Sequence, residues 1–536
     1  MKKVLFAIAT AAILMGAVSC QQDEFKGENN SVVKNPLNTI VVTIGNDATR
    51  LGLVSGEDTA TPVFELDDEV FGWDANGKYT YKCTAVNGSE ATFTKTSTYA
   101  PSADAGTKVN LVFAKGYGAN DVVDGKLNID ISEQKALTFS ELPIVMTASG
   151  TVDANGQCKM VFKSETSVIS AENCTSTATV EIQNVYADNL YPTMSFAINA
   201  DGEFVRTPGK AGKICNAVTL NPTAEDKSLN FCIATFPTPE NAEPAQIMIS
   251  FTSITDFTYF FTSQRTIPEN MILTLEVKFA LAQHLLVETG TYYSTFREAI
   301  DAANAYEGPC TLKVISDCQS SSGAPYDITN VDGVTYDLNG KSTALTKDGR
   351  LRPVGEGMLT IIDSNPDGTG RIWDNWIGYS PFNLNAGGYL YLESGIIGQK
   401  VGGNVAVIEL SADSYFEMNG GQILAEGRFF MFSGGSPMVT ITDGELVGIS
   451  ETYDCVQSTA DGALMTISGG YFYSPQNDEC NTFSLNPDKL TGIDIFVSGG
   501  HFNQDISQLP VVTINGKWET CEEDYNGLTY TYRAVK

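Results

Sequence analysis

The chain has 536 residues and a formal charge of −31, with 64 acids against 33 Lys plus Arg. That length leaves room for three or four domains. The acid excess excludes nucleic acid and anionic membrane as direct partners, and is compatible with cations, basic patches or neutral glycans. Abundant Gly and scarce Lys and Arg suit an all-β surface protein.

At the N-terminus, Lys2 and Lys3 precede the apolar run LFAIATAAILMGAV. It is too short to span a membrane and right for a signal peptide over 1–19. Removing residues 1–19, which carry two Lys and no acid, leaves −31 − 2 = −33. The run ends AVSC at 17–20, which looks like a lipobox. This resemblance implies lipidation of Cys20, with acyl chains as the outer-membrane anchor. An ordinary signal peptide with an incidental Cys is the alternative. Residues 20–37 read as a polar tether. Asp23 and Glu24 resemble the acidic signal that sends Bacteroidetes lipoproteins to the cell surface. Ten other cysteines form no CxxC, and with only His284 and His501 a Cys/His zinc site is not expected. Cys158 with Cys174, Cys215 with Cys232, and Cys310 with Cys318 are candidate disulfides; buried free thiols explain them equally.

From Asn38 the pattern turns β. TIVVTIG is a strand, DANG at 74–77 is a hairpin signal, and KYTYKCTAV at 78–86 alternates strictly. ATFTK, KVNLVFA, KLNIDI and PIVMTAS follow, at sandwich spacing. Taken in order, Thr49-Arg50, VFELDDEVFGWDANGKYTYKC, GSEATFT, VFAKGYGAN, KLNIDISEQ and LPIVMTAS resemble the N-terminal module of the fimbrillin family of Bacteroidetes pilins and pilus-associated lipoproteins. Phe64 departs from the Trp often found there. The resemblance implies one β-sandwich over 38–149 and a second over 150–282, where ATVEIQNVY, TMSFAINADGEF, IMISFTSI, FTYFFTS and MILTLEVKF supply strands. It also implies processing after Arg50, which would remove a strand for a neighbouring subunit to replace. A surface arginine is the plainer reading of the same residue.

Residues 283–536 change character. Thr295 with Glu298 forms a capping box, and Phe296, Ile300 and Ala303 give a helical stripe. Then one phrase keeps returning: YLYLESGII at 389–397, YFEMNGGQI at 415–423, MVTITDGEL at 438–446, LMTISGGYF at 464–472 and DIFVSGGHF at 494–502. Its glycines, Gly395, Gly421, Gly444, Gly470 and Gly500, are 26, 23, 26 and 30 residues apart. Looser copies carry Gly340 and Gly370. Short strands and Gly corners at that period mark a solenoid in which stacked copies share one core. A β-sandwich with Gly turns is the bland alternative. The pattern is similar to pectate-lyase-like right-handed parallel β-helices of bacterial surface proteins, which implies that the single short α-helix caps the open end. WETCEEDYNGLTYTYRAVK would close the other end with a hairpin. The fold expected is therefore all-β: two fimbrillin-like sandwiches, then a capped parallel β-helix.

Candidate sites follow. A glycosidase needs two facing carboxylates and a lyase needs a base. Glu393, Glu409, Glu417, Asp443 and Glu445 are present, but between 401 and 510 the only basic residues are Arg428, Lys489 and His501. No catalytic residue is assigned. In DSNPDGTGRIWD, Asp363, Asn365, Asp367, Gly368 and Asp374 fall at EF-hand-like positions, a candidate Ca²⁺ loop. Pro366, the Asp at the last position and the missing flanking helices favour a plain turn. Trp373, Trp376, Tyr379 and Phe382, and Tyr471 with Tyr473, are candidates for stacking on glycans. The chain thus reads as a non-catalytic surface lipoprotein acting in adhesion or as a pilus accessory, with pilus subunits or surface glycans and proteins as partners and no nucleic acid. A polysaccharide-binding or polysaccharide-degrading protein of glycan uptake is the alternative, and a purely structural anchor the third reading.

Overall fold

The computed structural model describes residues 35–44, 64–134, 142–175, 186–215, 228–252, 257–269, 272–321, 323–374, 378–384, 387–399, 405–449, 452–475 and 481–536. The lipobox, the tether up to residue 34, Arg50 and Trp376 lie outside them. Strands dominate, and Phe296–Ala305 is the one α-helix among the described residues.

The first seven-stranded sheet closes on itself. Thr39–Ile44 pairs antiparallel with Glu90–Lys95 on one side and parallel with Lys159–Ser164 on the other. Lys78–Asn87, Glu69–Trp73, Lys108–Ala114 and Val145–Thr151 complete the ring. Alternation points Ile40, Val42, Tyr79, Tyr81 and Phe93 inward to one core. Phe64 joins it, edge-on to Phe93 at 5.1 Å and to Phe162 at 5.3 Å. The strand Val145–Thr151 runs across residues 149 and 150, and the sheet ends only at Ser164.

The second segment is joined to the first by hydrogen bonds. Lys126–Asp130 pairs antiparallel with Thr193–Ile198. Phe71, Trp73, Leu127 and Ile129 from one segment share a core with Phe196 and Phe236 from the other. Further strands form a five-stranded and a three-stranded sheet around a separate core that holds Ile233, Ile249, Phe251 and Val277.

The C-terminal region is a parallel β-helix with three sheets. In sheet one, Cys310–Val314, Val334–Asp337, Met358–Ile362, Tyr389–Leu392, Tyr415–Met418, Met438–Ile441 and the first parts of Ala463–Tyr473 and Ile493–Phe502 stack in parallel. Sheet two repeats this with Ser342–Leu345, Arg371–Asp374, Ile396–Gln399, Gln422–Ala425 and Glu445–Gly448. Sheet three runs from Tyr326–Ile328 through Leu351–Pro353, Phe382–Leu384, Ala406–Ser411 and Arg428–Gly434 to Val456–Ser458.

Identical registers make columns of like side chains. Val334, Leu359, Leu390, Phe416, Val439, Met465 and Ile495 form one inward column, and all are buried. Each of the five aligned glycines has positive φ, between +74° and +107°. At Gly444 (φ +105°) an added Cβ would also lie 2.4 Å from Met418 Cε and 3.0 Å from two backbone oxygens of the previous rung.

Both ends are closed. Thr295 caps the helix by accepting from the Glu298 amide and donating to its carboxylate at 2.8 Å. Phe296, Ala299, Ile300 and Ala303 face the first rung. Beneath the helix, His284 Nε2 meets Tyr336 Oη at 2.9 Å, and Cys318 Sγ meets His284 Nε2 at 3.7 Å. Cys318 and Cys310 are buried free thiols, so the candidate disulfide between them does not form: Cys310 Sγ instead faces the Ala303 carbonyl at 3.6 Å. Cys158 is also a buried free thiol, and Cys215 and Cys232 lie in different cores. At the far end, Lys517–Tyr525 and Leu528–Val535 form the expected hairpin, whose second strand pairs antiparallel with Ile493–Phe502.

Two outcomes follow from this packing. Phe416→Ala empties a fully buried column position and should cost ~3–5 kcal/mol in denaturant unfolding; a loss below ~1 kcal/mol would contradict the shared core. Burial drives His284 down to about 3. The unfolded chain, with an ordinary imidazole near ~6.5, then binds more protons between those two pKa values. Stability is therefore lost as pH falls from ~6.5 toward 3. The melting temperature should drop less steeply over that window in His284→Gln, and parallel curves would show that His284 is not buried neutral.

Candidate functional site

Parallel stacking gives the outer surface columns too. On sheet one, residues alternate with the buried column, so the outer positions of successive rungs are Met358 and Thr360, Tyr389 and Tyr391, Tyr415 and Glu417, Met438 and Thr440, Leu464 and Thr466. Each of these side chains is partly or fully exposed, Met438 to 43%. One column is thus apolar or aromatic, and its neighbour carries hydroxyls and one carboxylate. The rings of Tyr389 and Tyr415 are 6.4 Å apart, and those of Tyr391 and Tyr415 are 6.0 Å apart and near perpendicular. Tyr415 donates to Glu417 at 2.7 Å. Burial foremost, and then the Glu417 charge, raise the Tyr391 phenol. Burial likewise leads for Tyr415, whose hydrogen bond to Glu417 adds to it, so both phenols stay neutral.

The aromatic residues singled out in the sequence lie elsewhere. Trp373 occupies an outer position of sheet two but is only 9% exposed; a Cβ on the neighbouring Gly398 would lie 2.9 Å from its ring. Tyr379 is 40% exposed beneath the Arg350 guanidinium, 4.5 Å from its ring centre. Phe382 is core. Tyr471 is sandwiched between Tyr525 at 3.9 Å and His501 at 4.8 Å, and Tyr473 lies edge-on to Tyr530 at 6.3 Å. The C-terminal hairpin thus covers these rings: His501 pairs with Glu523 at 2.9 Å, and Asn526 donates to Glu445 at 3.0 Å.

The acids serve the architecture. Asp363 accepts from the amides of Gly340 (2.7 Å), Asn365 (3.1 Å) and Gly370 (2.6 Å), and Asn365 accepts from the Asp367 amide at 2.9 Å. Asp374 is buried at the end of its strand. These are turn-forming contacts within the corner and, through Gly340, to the previous rung, and they engage the Asp363 and Asn365 oxygens that a Ca²⁺ loop would use. Among the described residues no group of three His, Cys, Asp or Glu side chains is placed to hold a metal. Glu393 accepts from Asn419 at 2.9 Å, Glu409 from Asn383 at 3.0 Å, Asp443 from the Gly444 amide at 2.8 Å and Glu445 from Gln422 at 2.6 Å.

No family model matches the chain, and no match is found among curated proteins. Among solved structures it is similar to a candidate cell adhesion protein from Bacteroides ovatus, at 14% identity over 46% of this chain and 95% of that one, with a TM-score of 0.31. It is also similar to one of the same description from Bacteroides uniformis, at 15% identity over 46% and 96%, with a TM-score of 0.30. A fimbrial assembly protein from Parabacteroides distasonis matches at 11% identity over 48% and 97%, with a TM-score of 0.24. Identities and TM-scores this low carry no argument about function.

The hairpin contacts are testable. Tyr525→Ala removes one face of the ring stack, worth ~0.5–1.5 kcal/mol. Limited chymotrypsin digestion within 517–535 should become several-fold faster, and an unchanged rate would show that the tip is held by other contacts.

Proposed function

We propose that the chain is a non-catalytic surface adhesin or fimbrial accessory, in which the sandwiches carry the β-helix as a binding head. Cys20 would be its lipid anchor in the outer membrane. The observation that supports this reading is the half-exposed, tyrosine-bearing surface of sheet one, held in register by the solenoid. A binding surface wants fixed, preformed side chains, and register fixes these. The acids considered for catalysis are hydrogen-bonded to amides or a phenol, and none of those contacts pairs one with a general base. The names of the similar structures are of the same kind, but their low TM-scores add no weight. The same aromatic surface would also serve glycan capture for uptake, so this second reading stands beside the first.

The test uses the chain from residue 21 on immobilised glycans and host-matrix proteins. Saturable binding is expected, with no product released from any bound glycan on prolonged incubation. Oligosaccharide release above buffer would refute the non-catalytic reading. In cells, Cys20→Ser should move the protein out of the membrane fraction; unchanged fractionation would remove the anchor.

A further inference from the structure

We propose that the outer face of sheet one binds a single extended, uncharged polysaccharide chain lying along the solenoid axis, with about one sugar per rung. This rests on the adhesin reading and names its ligand class.

Three observations converge. First, the apolar column is bounded. It contains Met358, Tyr389, Tyr415, Met438 and Leu464, and the same register position is Gly333 before it and Asp494 after it. Rungs repeat every ~4.8 Å, close to the advance of one pyranose along an extended chain. A linear glycan can therefore keep step with the rungs. Second, every rung pairs its apolar residue with a hydrogen-bonding one two positions on: Thr360, Tyr391, Glu417, Thr440 or Thr466. A pyranose has the matching division, with C–H groups on its ring face and hydroxyls at its edge. Aromatic faces take the former and carboxylate or hydroxyl oxygens the latter. Tyr389 and Tyr391 pack against Tyr415 at 6.4 and 6.0 Å, which fixes their orientation, so sugars would lie over their solvent-facing sides. Third, the flanks select for charge. Exposed Glu356, Asp413 and Asp461 precede the strands, and exposed Glu393 and Asp443 follow them. These acids repel a uronate-bearing chain.

Width decides against a protein partner. The ladder is two side chains across, ~7 Å, whereas a stable protein interface buries ~800 Å² per partner. A single glycan strand fits that strip.

The experiment measures binding of the chain from residue 21 to uncharged linear polysaccharides (glucans, mannans, xylans), their graded oligomers, and polygalacturonate as the acidic comparison. Affinity should rise with oligomer length to about five sugars, the number of rungs in the ladder, and then level off. Tyr389→Ala and Tyr415→Ala should each weaken binding ~3- to 10-fold, while Tyr379→Ala, exposed elsewhere on the solenoid, should not. Met438→Lys changes an exposed site, keeps the fold and should weaken binding equally, which covers misfolding of a tyrosine variant. Glycan binding untouched by all three ladder variants, or a preference for polygalacturonate, would overturn the proposal. Failure on every uncharged glycan with retained capture on matrix proteins would overturn the ligand class and leave the adhesin reading standing. Failure on all surfaces would overturn both.

Discussion

Register between parallel rungs is the constraint on which the C-terminal half depends. Side chains alternate strictly along a strand, so a slip of one residue would exchange the two faces. Leu390 and Leu392 would leave the core, and Tyr389 and Tyr391 would enter it. The cost is the burial of large apolar side chains at each rung, ~1.5–3 kcal/mol apiece, multiplied along the stack. The core therefore enforces the order of the outer surface. The tyrosine ladder needs no separate device to hold it, because the same hydrogen bonds that align Leu390 with Phe416 align Tyr389 with Tyr415.

A solenoid has two open ends, and each exposes strand edges and apolar side chains. At the first end the protein uses a helix with a side-chain cap and a buried polar cluster of His284, Tyr336, Cys318 and Thr343. Burial holds the imidazole neutral and pushes the Cys318 thiol up to about 11, so the cluster acts as packing and not as a reactive dyad. At the second end an antiparallel hairpin takes over from the parallel sheet, and its tip folds back onto outer residues of the last rungs. That tip covers Tyr471, His501 and Glu445. Closing the end thus buries Glu445 and partly covers Tyr471 and His501.

The repeating phrase was legible because glycine corners and alternating apolar residues each answer to a local rule. The aligned glycines do adopt positive φ, and Thr295 and Glu298 do cap a helix. The binding surface was less legible. Trp373, Tyr471 and Tyr473 stood out by residue type, yet exposure is decided by neighbours distant in sequence: Gly398 for Trp373, and Tyr525 and Tyr530 for the other two. Tyr389, Tyr391 and Tyr415 lie inside the repeat, where residue type alone does not set them apart from the apolar residues around them. Their signal was present all along, since in YLYL and YFEM the tyrosines alternate with the aliphatic or phenyl residues that must be buried. The apparent Ca²⁺ loop shows the converse, for Asp and Asn at alternate positions also satisfy backbone amides where rungs turn.

The same reasoning separates display from chemistry. Catalysis by carboxylates requires two of them to converge on one bond with their protonation states pushed apart. A stacked solenoid tends to disperse acids, because each rung adds one position to a column and neighbouring like charges repel. Here the acids near sheet one are spread along the flanks and corners, and each of Glu393, Asp443 and Glu417 is tied to an amide or phenol. What repetition concentrates instead is a line of similar contacts, individually weak and evenly spaced. Such a line gains affinity only by engaging a ligand that repeats as it does, and this favours a polymer over a small molecule as the partner of this fold.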